Sequence, residues 1–151
     1  MFLYGKTASN AIAVISYLAA EPARMRGSLE ISKARKLSRA LTAKLLTQLS
    51  NAGLVSGQTG PGGGYTLAKP PSAINLLQIV QIFESAVAPS VCPFGKDWCG
   101  NREPCPLHHG IVALREHNLA FLRNTSLDVF LSAPQPVRRR PASPSPRRKR
   151  A

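Results

Sequence analysis

Apolar residues recur every three or four positions over three stretches in the first third of the chain, which predicts three helices. The first helix covers residues 7–20 and stops before Pro22, since proline disfavours helical geometry in the residue that precedes it. The second is a short helix over residues 28–36, with Leu29, Ile31 and Ala34 expected to face the core. The third covers residues 39–52, with Ser38 as a favourable N-cap.

The third predicted helix has two different faces. Leucines at positions 37, 41, 45 and 49 repeat every four residues and form one stripe that we expect to be buried. The opposite side carries small, polar or basic residues: Lys36 from the preceding turn, Arg39, Ala40, Ala43, Thr47 and Ser50. Such a face suits the major groove of DNA, although any amphipathic surface helix could carry it.

A two-stranded hairpin is predicted after this helix. Gly53 ends the helix, and residues 54–55 face residues 65–67 across a glycine-rich turn, GPGGG at residues 60–64. Such a turn uses positive backbone dihedrals and leaves amides free to approach a phosphate. The sequence GPGGGY lacks the P-loop and dinucleotide-binding patterns, so the remaining alternative is an ordinary flexible loop. Three helices and a hairpin in this order form a winged helix-turn-helix.

The second half of the chain predicts a buried helix over residues 72–84, closed by Pro89, which bridges the two halves. A longer helix follows from residue 106 to about residue 123, with Cys105 at its N-cap and Pro106 in its first position. Residues 127–131 form a last short turn capped by Ser126.

One face of the long helix carries a heptad-type seam. Its members are Leu107, Ile111, Leu114, Asn118 and Phe121. A seam of this kind needs a partner helix, so we expect a homodimer, and two-fold symmetry would match a palindromic operator on double-stranded DNA.

The chain is strongly basic. It has 151 residues and a formal net charge of +13, and seven of its basic residues lie in a Pro/Ser/Arg-rich tail, residues 134–151, that we expect to be disordered. In the remainder, residues 24–44 hold seven basic residues against Glu30 alone. This clustering favours a phosphate-binding face over a merely solvated surface.

Cysteine content and hydropathy predict a cytoplasmic protein. Three cysteines is an odd number, which argues against a disulfide framework and for a reducing compartment. The apolar run at residues 11–20 is too short to span a membrane, and its basic flank is too thin for a signal peptide. No membrane partner is expected.

Three cysteines and a histidine follow one another closely, as Cys92-x6-Cys99-x5-Cys105-x2-His108. Thiolates with one imidazole suit an iron-sulfur cluster or tetrahedral zinc. The close Cys-x2-Cys pairs of structural zinc sites are absent, so the spacing favours a cluster over zinc or unliganded thiols. His109 is a less favoured alternative to His108.

In combination, these motifs resemble the IscR/NsrR/RirA-type winged-helix transcription regulators of bacteria over roughly residues 5–132. The resemblance rests on Ile31-Ser32, Leu45-x3-Leu49-x3-Gly53-Leu54-Val55, Gly60-Pro61-Gly62-Gly63-Gly64-Tyr65-x-Leu67, the helix through Ile79 and Ile82, the three cysteines, and Thr125-x-Leu127. It implies a homodimer with a long dimerisation helix and operator binding that depends on a cluster.

The resemblance also implies roles for individual residues. Cys92, Cys99 and Cys105 match the cluster thiolates, and His108 matches the fourth ligand of the 2Fe–2S members. Some 4Fe–4S members use an N-terminal carboxylate instead, and residues 1–20 contain no Asp or Glu, so 2Fe–2S is favoured over 4Fe–4S. The first cysteine gap is six residues where five is common, which leaves the cluster type open.

The residues predicted to contact DNA lie around the third helix and on the wing. They are Arg35, Lys36, Ser38, Arg39, Ala40, Ala43, Lys44, Thr47, Thr59, Gly60, Gly62, Gly63 and Tyr65. Thr59 stands where an arginine often precedes the wing glycines in the family, which weakens an expected minor-groove contact.

The sequence thus predicts a mainly α fold with a small β wing, a winged helix-turn-helix plus a long dimerisation helix. Residues 1–70 form the DNA-binding region, 71–133 the linker helix, cysteine loop and dimerisation helix, and 134–151 the tail. The predicted function is a DNA-binding transcriptional regulator, a repressor, whose cluster senses iron-sulfur status, redox state or nitric oxide. The alternative is a constitutive DNA- or RNA-binding protein with structural zinc. Paired acid/base carboxylates and a base-partnered nucleophile are not recognisable, so no enzyme is expected.

Overall fold

The computed structural model describes residues 4–84 and 104–131. The elements are helices α1 (Lys6–Ala19), α2 (Ser28–Arg35), α3 (Arg39–Asn51), α4 (Leu76–Phe83) and α5 (His108–Asn124), strands β1 (Val55–Gln58) and β2 (Gly64–Leu67), and short 3-10 turns at Pro71–Ala73 and Leu127–Phe130. The prediction of a mainly α fold with a small β wing is confirmed. Within the described ranges, no helix is long and apolar enough to cross a bilayer.

Helix α1 forms the centre of the core. It packs against α2, α3, α4 and the strand β2. Ala8, Ala11, Val14, Ile15 and Leu18 are almost completely buried along it. The alanines let neighbouring helices approach closely, and the branched side chains fill the space between them. The predicted first helix over residues 7–20 is therefore confirmed within one residue at each end.

The N-terminus of α1 is capped from a distant part of the chain. Its N-cap residue, Gly5, has no side chain to accept a hydrogen bond, and its first turn has no acidic residue. The Gly5 amide instead donates to Glu84 Oε1 at 2.5 Å. This carboxylate lies directly after α4, so the start of α1 and the end of α4 are held together, and its negative charge is favourable at a helix N-terminus.

Helix α2 is confirmed within one residue but presents a different inner face than predicted. It ends at Arg35 because Lys36 adopts a left-handed conformation, with φ of 52°. Ile31 is buried as predicted, but Leu29 is 43 % exposed, and Ser32 and Arg35 lie inside in its place. The assignment of Leu29 to the core was wrong, since side-chain polarity alone did not indicate the face of so short a helix.

Helix α3 is confirmed together with its cap. The Ser38 hydroxyl accepts a hydrogen bond from the Leu41 amide at 3.2 Å. Leu45 and Leu49 are fully buried and Leu41 is half-buried against the same core, as the leucine stripe predicted. Leu46 is also fully buried, so the inner face is broader than the four-residue repeat indicated.

The wing is an antiparallel hairpin in which Val55 pairs with Leu67 and Gln58 with Gly64. Gly53 has a φ of 70°, as predicted for the residue that ends α3. The segment before α2 pairs with β2 through a single bridge, because Arg26 and Tyr65 exchange two backbone hydrogen bonds of 3.0 and 2.9 Å. A Cβ atom on Gly64 would lie 2.8 Å from the Arg26 carbonyl oxygen, so this close pairing requires glycine.

Helix α4 is buried and bridges the molecule, as predicted, with contacts to α1, α3 and α5. It begins only at Leu76, four residues later than expected. Asn75 and Gln78 form a reciprocal capping box, with hydrogen bonds of 3.0 and 3.1 Å. The preceding prolines favour a separate 3-10 turn, which explains the late start. Pro89, the predicted closing residue, lies outside the described residues.

Helix α5 begins at His108 rather than at residue 106. Leu107 occupies the N-cap position in a helical conformation without a side-chain cap. The predictions that Cys105 caps this helix and Pro106 opens it were therefore wrong. Residues 105–107 instead form a turn closed by the His108 amide, which donates to the Cys105 carbonyl at 2.9 Å.

The segment after α5 returns to the core. The Leu76 amide donates to the Thr125 carbonyl at 2.9 Å, and the Leu127 amide donates to the Ile74 carbonyl at 2.8 Å. Leu127 is fully buried. The last turn is present as predicted, but Ser126 does not cap it, because its hydroxyl bonds to the Asp128 carboxylate.

Candidate nucleic-acid interface and thiol site

The outer face of α3 is exposed and carries no large apolar side chain. Arg39, Ala40, Ala43, Lys44 and Thr47 are all exposed. They point outward because the leucines on the opposite side anchor the helix to the core. The two alanines permit close approach of a flat surface, and the two cations flank them, which fits a helix that enters a DNA groove.

Two of the hydroxyl groups near this face already make local hydrogen bonds. Thr47 Oγ1 donates to the Ala43 carbonyl at 3.0 Å, and Ser38 Oγ accepts from the Leu41 amide. Thr47 can therefore offer a partner only its oxygen lone pairs, whereas the Ser38 hydroxyl keeps its proton for a bond outward. Both residues are exposed, and so is Lys36 in the turn before α3.

Arg35 does not lie on this surface. Its guanidinium is buried over the ring of Tyr17, at 5.1 Å from the ring centroid, and Nη2 donates to Ser16 Oγ at 3.2 Å. Burial lowers the pKa of Arg35 from its ordinary value. The prediction that Arg35 contacts DNA is corrected, because the side chain stabilises the packing of α1 on α2 instead.

Arg26 is a second internal cation of the basic segment. It is only 4 % exposed, and its guanidinium lies 4.1 Å from the centroid of the Tyr17 ring. Nη1 donates to Glu30 Oε1 at 2.6 Å, and Nη2 lies 2.8 Å from Glu21 Oε1. Arg26 precedes α2, so no helical spacing in the sequence indicates its ion pair with Glu30, and the burial of Arg26 could not be anticipated.

The basic surface is consequently smaller than the sequence indicated. Arg24 lies beside Glu21 and Glu30, at 3.4 and 3.6 Å. The exposed cations of residues 24–44 outside this ion-pair cluster are Lys33, Lys36, Arg39 and Lys44. Lys33 lies on α2, Lys36 lies in the turn before α3, and Arg39 and Lys44 lie in the first half of α3.

Glu30 should make folding stability depend on pH. Partial burial opposes ionisation of its carboxyl group, but hydrogen bonds from Arg26 and Tyr17 and the nearby positive charges outweigh this and lower the pKa of Glu30. A lowered folded-state pKa means that the stabilisation is present above the unfolded value, near 4.5, and is lost as the pH falls below it.

We therefore expect Glu30→Gln to be less stable than the wild type at pH 7, with a difference that shrinks below about pH 4.5. Urea denaturation at several pH values measures it. Glu116→Gln, an exposed substitution on α5, is the matched control and should show little difference at either pH. An equal loss of stability at pH 7 and pH 3.5 would contradict the prediction.

The wing presents backbone rather than charge. Thr59, Gly60 and Gly62 are exposed, and the φ angles of the two glycines are 106° and 76°, as the sequence predicted for this turn. Gly63 donates its amide to the Gly60 carbonyl at 2.9 Å and has no room for a Cβ atom. Tyr65 is half-buried at the base of the turn, where it flanks the outer surface.

A polar cleft of about 280 Å³ separates α3 from the wing. Its lining residues all lack charge: Thr47, Ser50, Asn51, Gly57, Gln58, Thr59 and Tyr65. The Tyr65 ring lies against Gly57, where a Cβ atom would stand 3.1 Å from Cε1. The cleft therefore joins the two surfaces that the sequence predicted separately, and Asn51 and Gln58 are members that the sequence analysis did not include.

Two of the four predicted cluster ligands lie in the described part of the chain. Cys105 is buried, and His108 follows it in the first turn of α5 with a half-buried side chain. His109 is more exposed, and its ring meets that of His108 edge-on at 5.4 Å. Cys92 and Cys99 lie outside the described residues. Within residues 4–84 and 104–131, no three His, Cys, Asp or Glu side chains cluster as a metal site.

The outer side of α5 carries unusually exposed apolar side chains. Leu107, Leu114 and Phe121, each seven residues from the next, are 54 %, 49 % and 44 % exposed. The intervening seam members, Ile111 and Asn118, are half-buried. The predicted seam thus forms a continuous strip on the surface of the single chain, next to the side that packs on α4.

The chain is similar in sequence to known regulators. The family model described as "Rrf2: Iron-dependent Transcriptional regulator" matches residues 4–133. A protein of Aquifex aeolicus assigned to the HTH-type transcriptional regulators is 30 % identical over 127 residues, which cover 83 % of this chain and 88 % of that protein. The HTH-type transcriptional regulator IscR of Klebsiella pneumoniae is 33 % identical over 98 residues, or 65 % of this chain and 60 % of IscR.

Solved structures share the fold. The Bacillus subtilis global cysteine regulator CymR superposes with a TM-score of 0.73 at 24 % identity, over 86 % of this chain and 97 % of CymR. The IscR of T. potens superposes with a TM-score of 0.62 at 18 % identity, over 83 % of both chains. At these identities the likeness concerns the fold alone.

Proposed function

The chain belongs to the Rrf2 family of transcriptional regulators, and from this membership we propose that its binding to operator DNA depends on an iron-sulfur cluster held by Cys92, Cys99, Cys105 and His108. Its relatives are regulators rather than enzymes, in agreement with the sequence analysis. The proposed protein is a cytoplasmic repressor that binds a palindromic operator as a homodimer.

The exposed face of α3 is the observation that carries the DNA-binding part of the proposal. Arg39 and Lys44 are the charged groups of this face, Ala40 and Ala43 admit the edges of bases, and Thr47 presents a hydrogen-bond acceptor. Arginine binds guanine edges with two hydrogen bonds, and alanine contacts thymine methyl groups. The wing approaches through Thr59 and the exposed glycines.

The chemistry of the donor set supports the cluster part of the proposal. Cys105 is a buried thiol at the start of α5, and the imidazole of His108 follows within one helical turn. Whether such a cluster is bound would depend on iron, redox state or nitric oxide. Binding or loss of the cluster would act on α5 through Cys105 and His108. Helix α5 packs on α4, which in turn packs on the DNA-binding core.

Structural zinc in a constitutive DNA-binding protein is the second candidate. Three thiolates and one imidazole satisfy tetrahedral zinc as well as iron. In that case the metal would stabilise the fold without a regulatory signal. The colour and metal content of the protein separate the two candidates.

Selection of bound sequences from a randomised duplex pool tests operator recognition. We expect one palindromic consensus, and Arg39→Ala should weaken binding to it by about 5- to 150-fold for each half-site, the loss of one bidentate base contact per subunit. The matched control is Arg123→Ala, at an exposed arginine at the end of α5. Selection of no consensus, or equal effects of the two substitutions, would contradict the proposal.

A further inference from the structure

Charge is divided unevenly across the proposed DNA-binding surface. The exposed cations Lys33, Lys36, Arg39 and Lys44 all precede residue 45. Residues 45–68, which include the second half of α3 and the whole wing, contain no charged side chain. One half of the surface is therefore cationic, whereas the second half of α3 and the wing contribute no charged side chain of their own.

The cleft between α3 and the wing lies in the neutral half. A helix seated in the major groove has a sugar-phosphate backbone along each side of it. The wing follows α3 closely, since β1 begins at Val55, and β1 packs against that helix. The sugar-phosphate backbone on the wing side must therefore cross the cleft if the wing is to reach the neighbouring groove of the DNA.

The cleft offers the kind of group that a phosphate requires. A phosphodiester oxygen is a hydrogen-bond acceptor, so only donors can bind it. The Thr47 hydroxyl is already used within α3. Asn51 and Gln58 provide amide donors on opposite walls, and Ser50, Thr59 and Tyr65 add hydroxyl groups.

We propose that this cleft seats one phosphodiester backbone of duplex DNA through uncharged donors, chiefly Asn51 and Gln58, so that the wing side of the interface adds affinity that is almost independent of salt. The inference rests on the proposed DNA-binding function and extends it. Counterion release scales with the number of phosphates neutralised by cations, so neutral contacts leave the salt slope unchanged.

Salt titration of full-length variants on the selected operator duplex tests the inference. Asn51→Ala and Gln58→Ala should each weaken binding by about two- to tenfold for each half-site, the effect of one hydrogen bond per cleft, with log K against log salt parallel to that of the wild type. Lys44→Ala is the contrasting variant. For each phosphate contact that it removes, the slope should become shallower by about 0.9.

A charge placed in the cleft provides a second, independent readout. Gln58→Lys should steepen the slope by about 0.9 for each cleft occupied by a phosphate. Ala120→Lys is the matched control, since residue 120 is exposed on α5, which packs mainly against α4. It should leave the slope unchanged. Thermal unfolding establishes that every variant is folded.

Three results would overturn the inference. Unchanged affinity in both alanine variants would show that the cleft makes no contact, and a shallower slope in them would show that the contact is electrostatic. An unchanged slope in Gln58→Lys would place the phosphate elsewhere. If wild-type protein binds no duplex at all, the proposed function fails together with this inference, which distinguishes it from failure of the cleft alone.

Discussion

Replacing Cys105 with alanine is expected to abolish the visible absorption of protein prepared without oxygen. The wild-type protein should be brown, because thiolate-bound iron-sulfur clusters absorb visible light, and its iron and sulfide should be lost together in the variant. Among the three cysteines, Cys105 is the one that lies within residues 4–84 and 104–131. Its thiol is buried at the start of α5.

The loss of the cluster should also change operator affinity, by about 5- to 150-fold, the usual range of coupling between two sites. Fluorescence anisotropy on the selected operator, with the same preparation before and after oxidative bleaching, measures this change. If the cluster regulates binding, bleaching should change operator affinity in the wild type and leave it unchanged in Cys105→Ala, which holds no cluster. The variant therefore serves as the control for damage caused by bleaching itself.

Substitutions of the two neighbouring histidines identify the fourth ligand. His108→Ala should alter or remove the absorption bands, whereas His109→Ala, one residue further and more exposed, should retain them. A colourless protein that holds one zinc ion tightly would replace the sensor with the structural zinc alternative. Protein without iron, sulfide or zinc would leave a regulator that uses its thiols in another way or not at all.

The regular parts of the fold could be predicted because local and tertiary preferences agree. The leucines of α3, the Ser38 cap and the left-handed Gly53 all indicate the same helix boundaries, and the structure confirms them. The glycines at positions 60 and 62 likewise adopt the positive φ angles that their turn requires. Each of these features depends on residues within one or two turns of the chain.

The errors arose where a distant residue decides the outcome. Arg35 was placed on the surface because arginine is usually exposed, but the Tyr17 ring and Ser16 from α1 hold it inside. The Gly5 amide is capped by Glu84, almost eighty residues away. No periodicity reports such contacts, which exist only once α1 has packed on α2 and α4.

The start of α5 shows a different limit. Cys105-Pro106 matches the pattern of an N-cap followed by a first-turn proline, yet the helix begins at His108. The turn closed by the Cys105 carbonyl competes with the cap, and both have the same sequence signature. The candidate DNA surface had the same difficulty, since Asn51 and Gln58 become neighbours only when the wing folds against α3.

A double substitution in the seam, Leu114→Glu with Phe121→Glu, is expected to convert the proposed homodimer to a monomer. The two side chains are 49 % and 44 % exposed in the single chain, so the substitutions cost little within the subunit. Burial of a leucine or phenylalanine side chain stabilises by about 1.5–3 kcal/mol, and a two-fold symmetric interface would bury both side chains in each of the two subunits. Four carboxylates in one seam would also repel each other.

Sedimentation velocity on the full chain measures the oligomeric state. The matched control is Ala120→Glu, which places the same charge at an exposed position of α5 away from the strip formed by Leu107, Leu114 and Phe121. The control should remain a dimer, and circular dichroism should show equal helix content in all three proteins. A dimeric double variant would place the subunit interface on another surface.

Loss of the dimer should also weaken binding to the operator. Two half-sites bound by linked subunits gain about 10²- to 10⁴-fold over separate binding, and a monomer loses this factor although its reading helix is intact. The double variant should therefore bind a single half-site as well as the wild-type subunit does and bind the full palindrome at least about 100-fold more weakly than the wild-type dimer. Equal affinity for half-site and palindrome in the wild type would contradict the symmetric model. The exposed apolar strip of α5 would then serve a partner other than a second copy of this chain.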